Sequence, residues 1–275
     1  MRYDETVLFS DLDGTLFNSR GEVTAENVAA IREYMSLGGR FAISTGRQPD
    51  NALQYWPDTV TNAPSVVLNG AAVYDFTAGT YDHTFYMDRD GLDPVLTEVL
   101  SAVPEADVQI YTLEGIRYLT PESRANRQFL GLHRPCAFSS MDAERGKGVF
   151  KCMFYAPPHR EAAMRTILER GAGETYRIVP GTTDVGGVIT YYELLPFAVS
   201  KGTAIDALRD HPDLRGRTFL AAGDYWNDYE LLRHADVAVA PANAIEEIKA
   251  VSRFVTADNN HHVMARIIYD IIPAL

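Results

Sequence analysis

The fold is decided by the stretch Val7-Leu8-Phe9-Ser10-Asp11-Leu12-Asp13-Gly14-Thr15-Leu16, a short apolar run followed at once by two carboxylates and a glycine. The apolar run is typical of a buried strand in a parallel sheet. Such a strand delivers the residues at its carboxyl end to the crevice where open α/β sheets bind ligands. Asp11 and Asp13 are therefore candidate catalytic residues. One carboxylate can attack phosphorus, and the other can exchange a proton with the leaving oxygen and then with water.

The rest of the N-terminal segment repeats the pattern of strand and helix. Apolar runs at Phe41 to Ser44 and Ser65 to Leu68 predict two more parallel strands. Between the first two strands, apolar residues at helical spacing predict a helix from Thr24 to Leu37, with Thr24 as its N-cap. The last 80 residues or so predict the same alternation, with strands at 219–222, 237–240 and 254–256 and helices at 228–234 and 244–251.

The middle of the chain has a different pattern. It predicts a helix at 92–103, strands at 108–111, 117–119 and 149–155, and a second helix at 159–170. We therefore predict an α/β fold in which a Rossmann-like, doubly wound parallel sheet carries an inserted α+β cap domain. The predicted core domain comprises residues 1–83 and 191–275, and the predicted cap comprises residues 84–190.

Composition narrows the function classes. The chain has 275 residues, of which 46% are hydrophobic and 23% are charged, as in an ordinary globular protein. Its formal net charge of -12 argues against nonspecific nucleic-acid binding, which needs clustered Lys and Arg. No stretch approaches the roughly 18 uncharged apolar residues of a membrane helix, and the N-terminus lacks a secretory signal pattern. We expect a cytoplasmic protein that acts on a small molecule and binds neither nucleic acid nor membrane.

Three further segments carry candidate site residues. Thr45 and Gly46 end the second predicted strand, where a hydroxyl and backbone amides can hold phosphate oxygens. Lys201 precedes a helix predicted from Thr203 to Leu208, and its ammonium can neutralise both a carboxylate and a phosphoryl group. Gly223-Asp224-Tyr225-Trp226-Asn227-Asp228 follows another apolar strand, so its carboxylates are expected to meet the first pair. Mg²⁺ favours such oxygen ligands, and Asp11, Asp224 and the backbone carbonyl of Asp13 are the predicted ones.

With these residues the chain resembles the haloacid dehalogenase superfamily, in its Cof-type branch (subfamily IIB) of cap-bearing sugar phosphatases. The resemblance covers the length of the chain. Its motifs are Asp11-Leu12-Asp13-Gly14-Thr15-Leu16, Ser44-Thr45-Gly46-Arg47, Leu68-Asn69-Gly70-Ala71, Ser200-Lys201-Gly202, Gly223-Asp224 with Asn227-Asp228, and Asn243-Ala244-Ile245-Glu246-Glu247.

The resemblance implies Mg²⁺ as cofactor and a role for each matching residue. Asp11 is the implied nucleophile and Asp13 the general acid and base. The implied phosphate contacts are Leu12, Thr45, Gly46, Lys201 and Asn227. The implied metal ligands are Asp11, Asp13 and Asp224, with Asp228 supporting the metal site from behind them.

Two departures from the family pattern stand out. The family usually has a glycine directly after the Gly-Asp of the acidic loop, whereas this chain has Tyr225 and then Trp226. The two aromatic rings are expected to narrow the access of substrate to the site. His261 and His262 stand where the family often has Asp-Gly, and we expect them to form a solvated helix start rather than to contact metal or substrate.

The expected activity is Mg²⁺-dependent hydrolysis of a small phosphomonoester, a sugar phosphate or a cofactor phosphate such as pyridoxal phosphate, through an aspartyl phosphate. Two alternatives remain open. One is phosphotransfer, as in phosphosugar mutases, and the other is a regulatory protein that binds a phosphometabolite with little turnover. The absence of a Gly-x-Gly-x-x-Gly motif after the first strand argues strongly against a nicotinamide-binding protein. The expected assembly is a monomer or small homo-oligomer.

Overall fold

A computed structural model of the chain describes residues 1–58, 60–120, 137–184 and 188–275, without the side chains of 182–184 and 188–190. The chain forms two compact units. The first joins Met1–Thr84 to Val199–Leu275, and the second is Phe85–Ala198. The second boundary lies beyond the predicted residue 190 because strand Val188–Pro196 pairs within the sheet of the second unit.

The first unit is built on a parallel sheet. Its described strands lie in the spatial order Phe254–Val255, Val237–Ala240, Thr218–Ala222, Thr6–Ser10 and Arg40–Ile43. From the neighbouring strands Thr218–Ala222 and Thr6–Ser10 the chain proceeds toward opposite edges, so the strand order reverses between these two strands. Ligands bind at this kind of switch point in open α/β sheets, and Asp11 and Gly223 directly follow its two strands. The predicted α/β fold class is confirmed.

Helices cover both faces of this sheet. Alternate residues of the first strand point to opposite sides, so Val7 and Phe9 join one buried apolar cluster and Leu8 joins another. The helices of the unit are Ala25–Ser36, Pro49–Tyr55, Lys201–Ala207, Tyr229–His234, Glu246–Val251 and Val263–Arg266. Burial on both faces explains why the parallel strands read as continuous apolar runs.

Capping side chains decide where two of these helices begin. Thr24 accepts a hydrogen bond from the backbone N–H of Asn27 at 3.3 Å, which confirms the predicted N-cap. Ser200 caps the helix Lys201–Ala207 by accepting from the N–H of Thr203 at 3.0 Å. That helix therefore begins two residues before the predicted Thr203, and Lys201 lies in its first turn.

The strand Ser65–Val67 was predicted to belong to the parallel sheet, and the structure corrects this. It pairs antiparallel with Ala72–Asp75, which pairs in turn with Thr80–Thr84, and a single parallel bridge from Val66 to Ser44 links it to the parallel sheet. The chain reverses because the three residues Leu68, Asn69 and Gly70 have positive φ values of 55°, 56° and 99°. The strand consequently pairs with its own continuation.

The second unit contains an antiparallel sheet with helices on one face. The described strands lie in the order Tyr176–Asp184, Val188–Pro196, Lys151–Tyr155, Asp107–Thr112, Gly115–Tyr118 and Ala137–Phe138, and the last pair is parallel. Helices Arg89–Ala102 and Pro158–Ala172 pack against it through a buried apolar cluster. The predicted α+β character of this segment is confirmed. Within the described ranges, no helix is long and apolar enough to cross a membrane.

Candidate functional site

The centre of the site is an ammonium held between two carboxylates. Asp11 directly follows strand Thr6–Ser10 and is 5% exposed, and Lys201 is 1% exposed. The Nζ of Lys201 donates to Oδ1 of Asp11 and to Oδ1 of Asp228, each at 2.6 Å. Charge-assisted hydrogen bonds of this length in a buried setting hold the lysine at the end of the sheet beside the predicted nucleophile.

Asp224 reaches the same place from the neighbouring strand. Its Oδ1 accepts a hydrogen bond from the hydroxyl of Thr15 at 2.8 Å. Gly14 makes this approach possible, because its φ is +79° and a Cβ at its position would lie 2.4 Å from Oδ2 of Asp224. Asp228 supports the loop, with its Oδ2 accepting from the backbone N–H of Asp224 at 3.0 Å and of Tyr225 at 3.3 Å.

These carboxylates form a group that could hold a metal ion. One oxygen from each of Asp11, Asp224 and Asp228 lies within 4.8 Å of the others. Carboxylate oxygens are the ligands that hard divalent cations prefer, so the donor set fits such a cation. Asp228 was predicted to lie behind the ligands, and the structure brings its side chain into the group itself. The backbone carbonyl of Asp13 remains a predicted ligand.

The charges of the three grouped carboxylates also favour a bound cation. Burial and the nearby charge of Asp228 raise the pKa of Asp11 well above its ordinary value. Burial, with Asp228 again contributing, raises the pKa of Asp224 to about 7. Burial alone would lower the pKa of Lys201, but Asp11 and Asp228 together raise it. When all three carboxylates are ionised, the single ammonium of Lys201 leaves excess negative charge in the group, which a divalent cation would offset.

We expect the metal-free protein to lose stability as the pH rises from about 5 to about 8. A carboxyl whose folded-state pKa is raised keeps its proton after the unfolded chain has lost it. Its stabilising effect is therefore complete below the unfolded pKa and is lost as the pH passes the folded pKa, which is about 7 for Asp224.

Thermal unfolding in EDTA checks this expectation. The Tm of the wild-type protein should fall by several degrees over this range, and the Asp224→Asn variant should show a smaller fall. A fall of the same size in both proteins would contradict the direction of the Asp224 pKa.

Asp13 pairs with Arg47 and is not one of the three grouped carboxylates. Its oxygens accept two hydrogen bonds from Arg47, at 2.8 Å from Nε and 2.7 Å from Nη2, and its side chain is 59% exposed. Arg47 also donates to Oδ1 of Asn51 at 2.7 Å and lies 4.1 Å from the ring centre of Tyr55. Both carboxylate oxygens of Asp13 accept hydrogen bonds from Arg47, so Asp13 must leave Arg47 before one of them can reach a leaving group.

Three of the predicted phosphate contacts, Thr45, Gly46 and Asn227, lie next to Asn69. A Cβ at Gly46 would lie 2.9 Å from Oδ1 of Asn69, whose backbone N–H donates to the carbonyl of Thr45 at 3.0 Å. Asn227 approaches the same Oδ1 through its Nδ2 at 3.5 Å. The predicted contact Leu12 is fully buried at the start of the turn after Asp11. The phosphate-binding roles of these residues stay predictions.

The four residues that depart from the family pattern lie in two different parts of the first unit. Tyr225 and Trp226 are 40% and 47% exposed in the acidic loop, and their effect on substrate access stays a prediction. His261 contacts Oδ1 of Asp258 at 2.7 Å, and Nδ1 of His262 lies 3.0 Å from the hydroxyl of Thr24. His262 is the N-cap residue of helix Val263–Arg266, which agrees with the expected helix start, and the absence of contacts to metal or substrate stays a prediction.

Reasoning from the sequence missed specific roles for three residues, namely the Thr15 bond to Asp224, the Arg47 bonds to Asp13, and the Asn69 contacts. All three belong to motifs quoted above, so motif membership was the available signal. The motifs do not indicate the direction in which each side chain points.

Comparison with known proteins adds the family. A family model described as haloacid dehalogenase-like hydrolase matches residues 8–268. Phosphatase YwpJ of Bacillus subtilis is 26% identical, over 93% of this chain and 95% of that protein.

Two solved structures share the fold. TM0651 from Thermotoga maritima has a TM-score of 0.79 at 21% identity, covering 96% of each chain. The subclass IIB sugar phosphatase BT4131 has a TM-score of 0.77 at 19% identity, covering 95% of this chain and 96% of that one.

The family match spans both segments of the core, and the acidic cluster lies where the strand order reverses. The two solved structures share the fold over 96% and 95% of the chain. The predicted enzyme class and superfamily are thereby confirmed: the chain belongs to the haloacid dehalogenase-like hydrolases.

Proposed function

We propose that this hydrolase is a Mg²⁺-dependent phosphatase that removes phosphate from small phosphomonoesters through an aspartyl phosphate on Asp11. One observation carries the proposal. The carboxylate of Asp11 is buried at the switch point of the sheet, hydrogen-bonded to Lys201 at 2.6 Å and grouped with Asp224 and Asp228. A carboxylate at such a place, beside a fixed positive charge, is suited to nucleophilic attack on phosphorus.

The roles of the protein residues follow from their positions. Lys201 offsets the charge of Asp11 and of the phosphoryl group as the two approach, because its ammonium is held between two carboxylates. Asp13 leaves Arg47, protonates the oxygen of the leaving group, and then takes a proton from the water that cleaves the aspartyl phosphate. The amides near Leu12 and the Thr45-Gly46 turn, together with Asn227, would hold phosphate oxygens, as the family resemblance implies.

The proposed metal is Mg²⁺. Asp11 and Asp224 would hold it together with the backbone carbonyl of Asp13, and Asp228 would lie beside it. When bound, Mg²⁺ supplies positive charge that offsets the excess carboxylate charge and the charge of the phosphate.

Sugar phosphates are the proposed substrate class, with a cofactor phosphate such as pyridoxal phosphate as the other possibility. The solved structure of a sugar phosphatase with the same fold supports the first. We further propose that residues 84–190, the predicted cap, select the leaving group.

Phosphate release from a panel of sugar and cofactor phosphates, and from an aryl phosphate, tests the proposed function. We expect release with Mg²⁺, no release with EDTA, and restoration when Mg²⁺ is returned in excess. Release that persists in EDTA would contradict the metal requirement. No release from any compound would contradict the phosphatase assignment.

The Asp13→Asn variant should separate the two steps. An alkyl leaving group needs a proton, so we expect hydrolysis of sugar phosphates to fall by about 10²-fold to 10⁴-fold, the usual contribution of general acid–base catalysis. Nitrophenolate needs no proton, so para-nitrophenyl phosphate should give a burst followed by slow turnover. Stopped-flow absorbance measures both phases. Equal losses on the two substrate types, without a burst, would contradict the role of Asp13.

A further inference from the structure

The loop that follows strand Val237–Ala240 contacts the turn that carries the catalytic aspartates. Its Asn243 donates a hydrogen bond from Nδ2 to the carbonyl oxygen of Gly14 at 2.8 Å. The Oδ1 of the same side chain accepts from the backbone N–H of Asn259, also at 2.8 Å. Both ends of one amide are thus occupied by backbone groups from two distant segments of the chain.

The partner segment of Asn243 is itself fixed. Asn259 is 8% exposed and donates from Nδ2 to the carbonyl of Phe17 at 2.9 Å. The neighbouring Asn260 accepts from the backbone N–H of Ser19 at 3.0 Å. The segment that positions Asn243 therefore also binds the chain just beyond the Asp11 turn.

The Asn243 loop reaches the acidic loop as well. The backbone N–H of Ile245 donates to the carbonyl of Asp224 at 3.2 Å. The Asp224 carboxylate accepts from Thr15, which shares a peptide group with the Gly14 carbonyl that Asn243 holds. These contacts close a ring that runs from Gly14 through Asn243 and Ile245 to Asp224, and back through Thr15.

We propose that Asn243 is a positioning residue for the metal site, one that fixes the Gly14–Thr15 peptide and thereby the distance between Asp11 and Asp224. It contacts no reacting atom and acts through Gly14 and Thr15. This inference rests on the metal of the proposed function. Residues that hold metal ligands in position usually contribute to metal affinity, and their loss typically weakens metal binding by about 10-fold to 100-fold.

The test is Mg²⁺ binding without substrate, measured by isothermal titration calorimetry on the wild-type protein and on Asn243→Ala. Asn243 is exposed, so its truncation leaves no buried cavity. We expect the Kd for Mg²⁺ to rise by at least about 10-fold in the variant.

Asn62 provides a matched control. It also bridges two backbone groups, accepting from the N–H of Phe41 at 2.7 Å and donating to the carbonyl of Gly39 at 3.0 Å, but at the amino end of strand Arg40–Ile43, away from the site. The Asn62→Ala variant should lower the Tm and leave the Kd for Mg²⁺ unchanged.

The outcomes separate the inference from the proposed function. A weaker Kd in Asn243→Ala with an unchanged Kd in Asn62→Ala supports the positioning role. A Kd for Asn243→Ala within about twofold of wild type, where the loss of such a residue should cost about 10-fold, would overturn the positioning role and leave the proposed metal intact. No Mg²⁺ uptake by the wild-type protein would overturn the proposed metal, and this inference with it.

Discussion

The Asp11→Asn variant is expected to lose phosphatase turnover by at least about 10⁴-fold, because removal of a covalent nucleophile leaves only the binding and electrostatic contributions. The amide has nearly the same shape as the carboxylate and cannot attack phosphorus. Burial and Asp228 raise the pKa of Asp11, so its ionised form is costly in the folded protein. The variant should therefore fold with a Tm at least as high as that of the wild-type protein near neutral pH.

Initial rates of phosphate release, with thermal unfolding alongside, check the Asp11→Asn prediction. Asp270→Asn is the control, since Asp270 lies in an exposed ion pair with Arg266, and its rate should not change. Retention of more than about a hundredth of the wild-type rate by Asp11→Asn would remove Asp11 from the role of nucleophile.

The Lys201→Met variant is expected to lose turnover by at least about 10³-fold, more than the loss of one neutral donor in an oxyanion site. Methionine keeps most of the side-chain volume and removes the ammonium from between Asp11 and Asp228. The three carboxylates then have no buried lysine to offset their charge, so phosphate should approach less readily. Lys201→Arg should not restore the rate, because a planar guanidinium does not fit a site built around a compact ammonium.

The matched control for this variant is Lys249→Met. Lys249 also forms an ion pair, with Glu246 at 3.0 Å, but that glutamate side chain is 86% exposed. Exposed pairs contribute little, so both rate and Tm should stay near wild type. Steady-state rates over a range of substrate concentrations measure the effect. A Lys201→Met enzyme within about tenfold of the wild-type rate would contradict the charge-offsetting role.

The sequence predicted most of the core fold because the signals there are local. Val7, Leu8 and Phe9 are all apolar since the two faces of the sheet are both covered, and Thr24 caps its helix with its own side chain. The strand Ser65–Val67 was misplaced because an apolar run does not reveal its partner. Its antiparallel pairing depends on the reversal at Leu68 to Gly70, where two non-glycine residues adopt positive φ.

The candidate site was predictable to the extent that strand ends determine it. Asp11 and Asp224 come together because two adjacent parallel strands end at the same edge of the sheet. The bonds from Arg47 to Asp13 and from Thr15 to Asp224 were not predicted, because the direction of a side chain depends on packing between distant segments. The second unit continues past the predicted residue 190 because Val188–Pro196 is a strand of its sheet, a pairing that an apolar run does not reveal.

The central claim is that Asp11 becomes phosphorylated, and chemical trapping tests it most directly. The Asp13→Asn enzyme would be quenched with acid during turnover of para-nitrophenyl phosphate and reduced with borohydride, which converts an aspartyl phosphate to homoserine. Peptide mass spectrometry would then be used to examine position 11. We predict homoserine at position 11, in an amount that matches the nitrophenolate burst. A burst with Asp11 unmodified, or with the modification on another residue, would contradict the account.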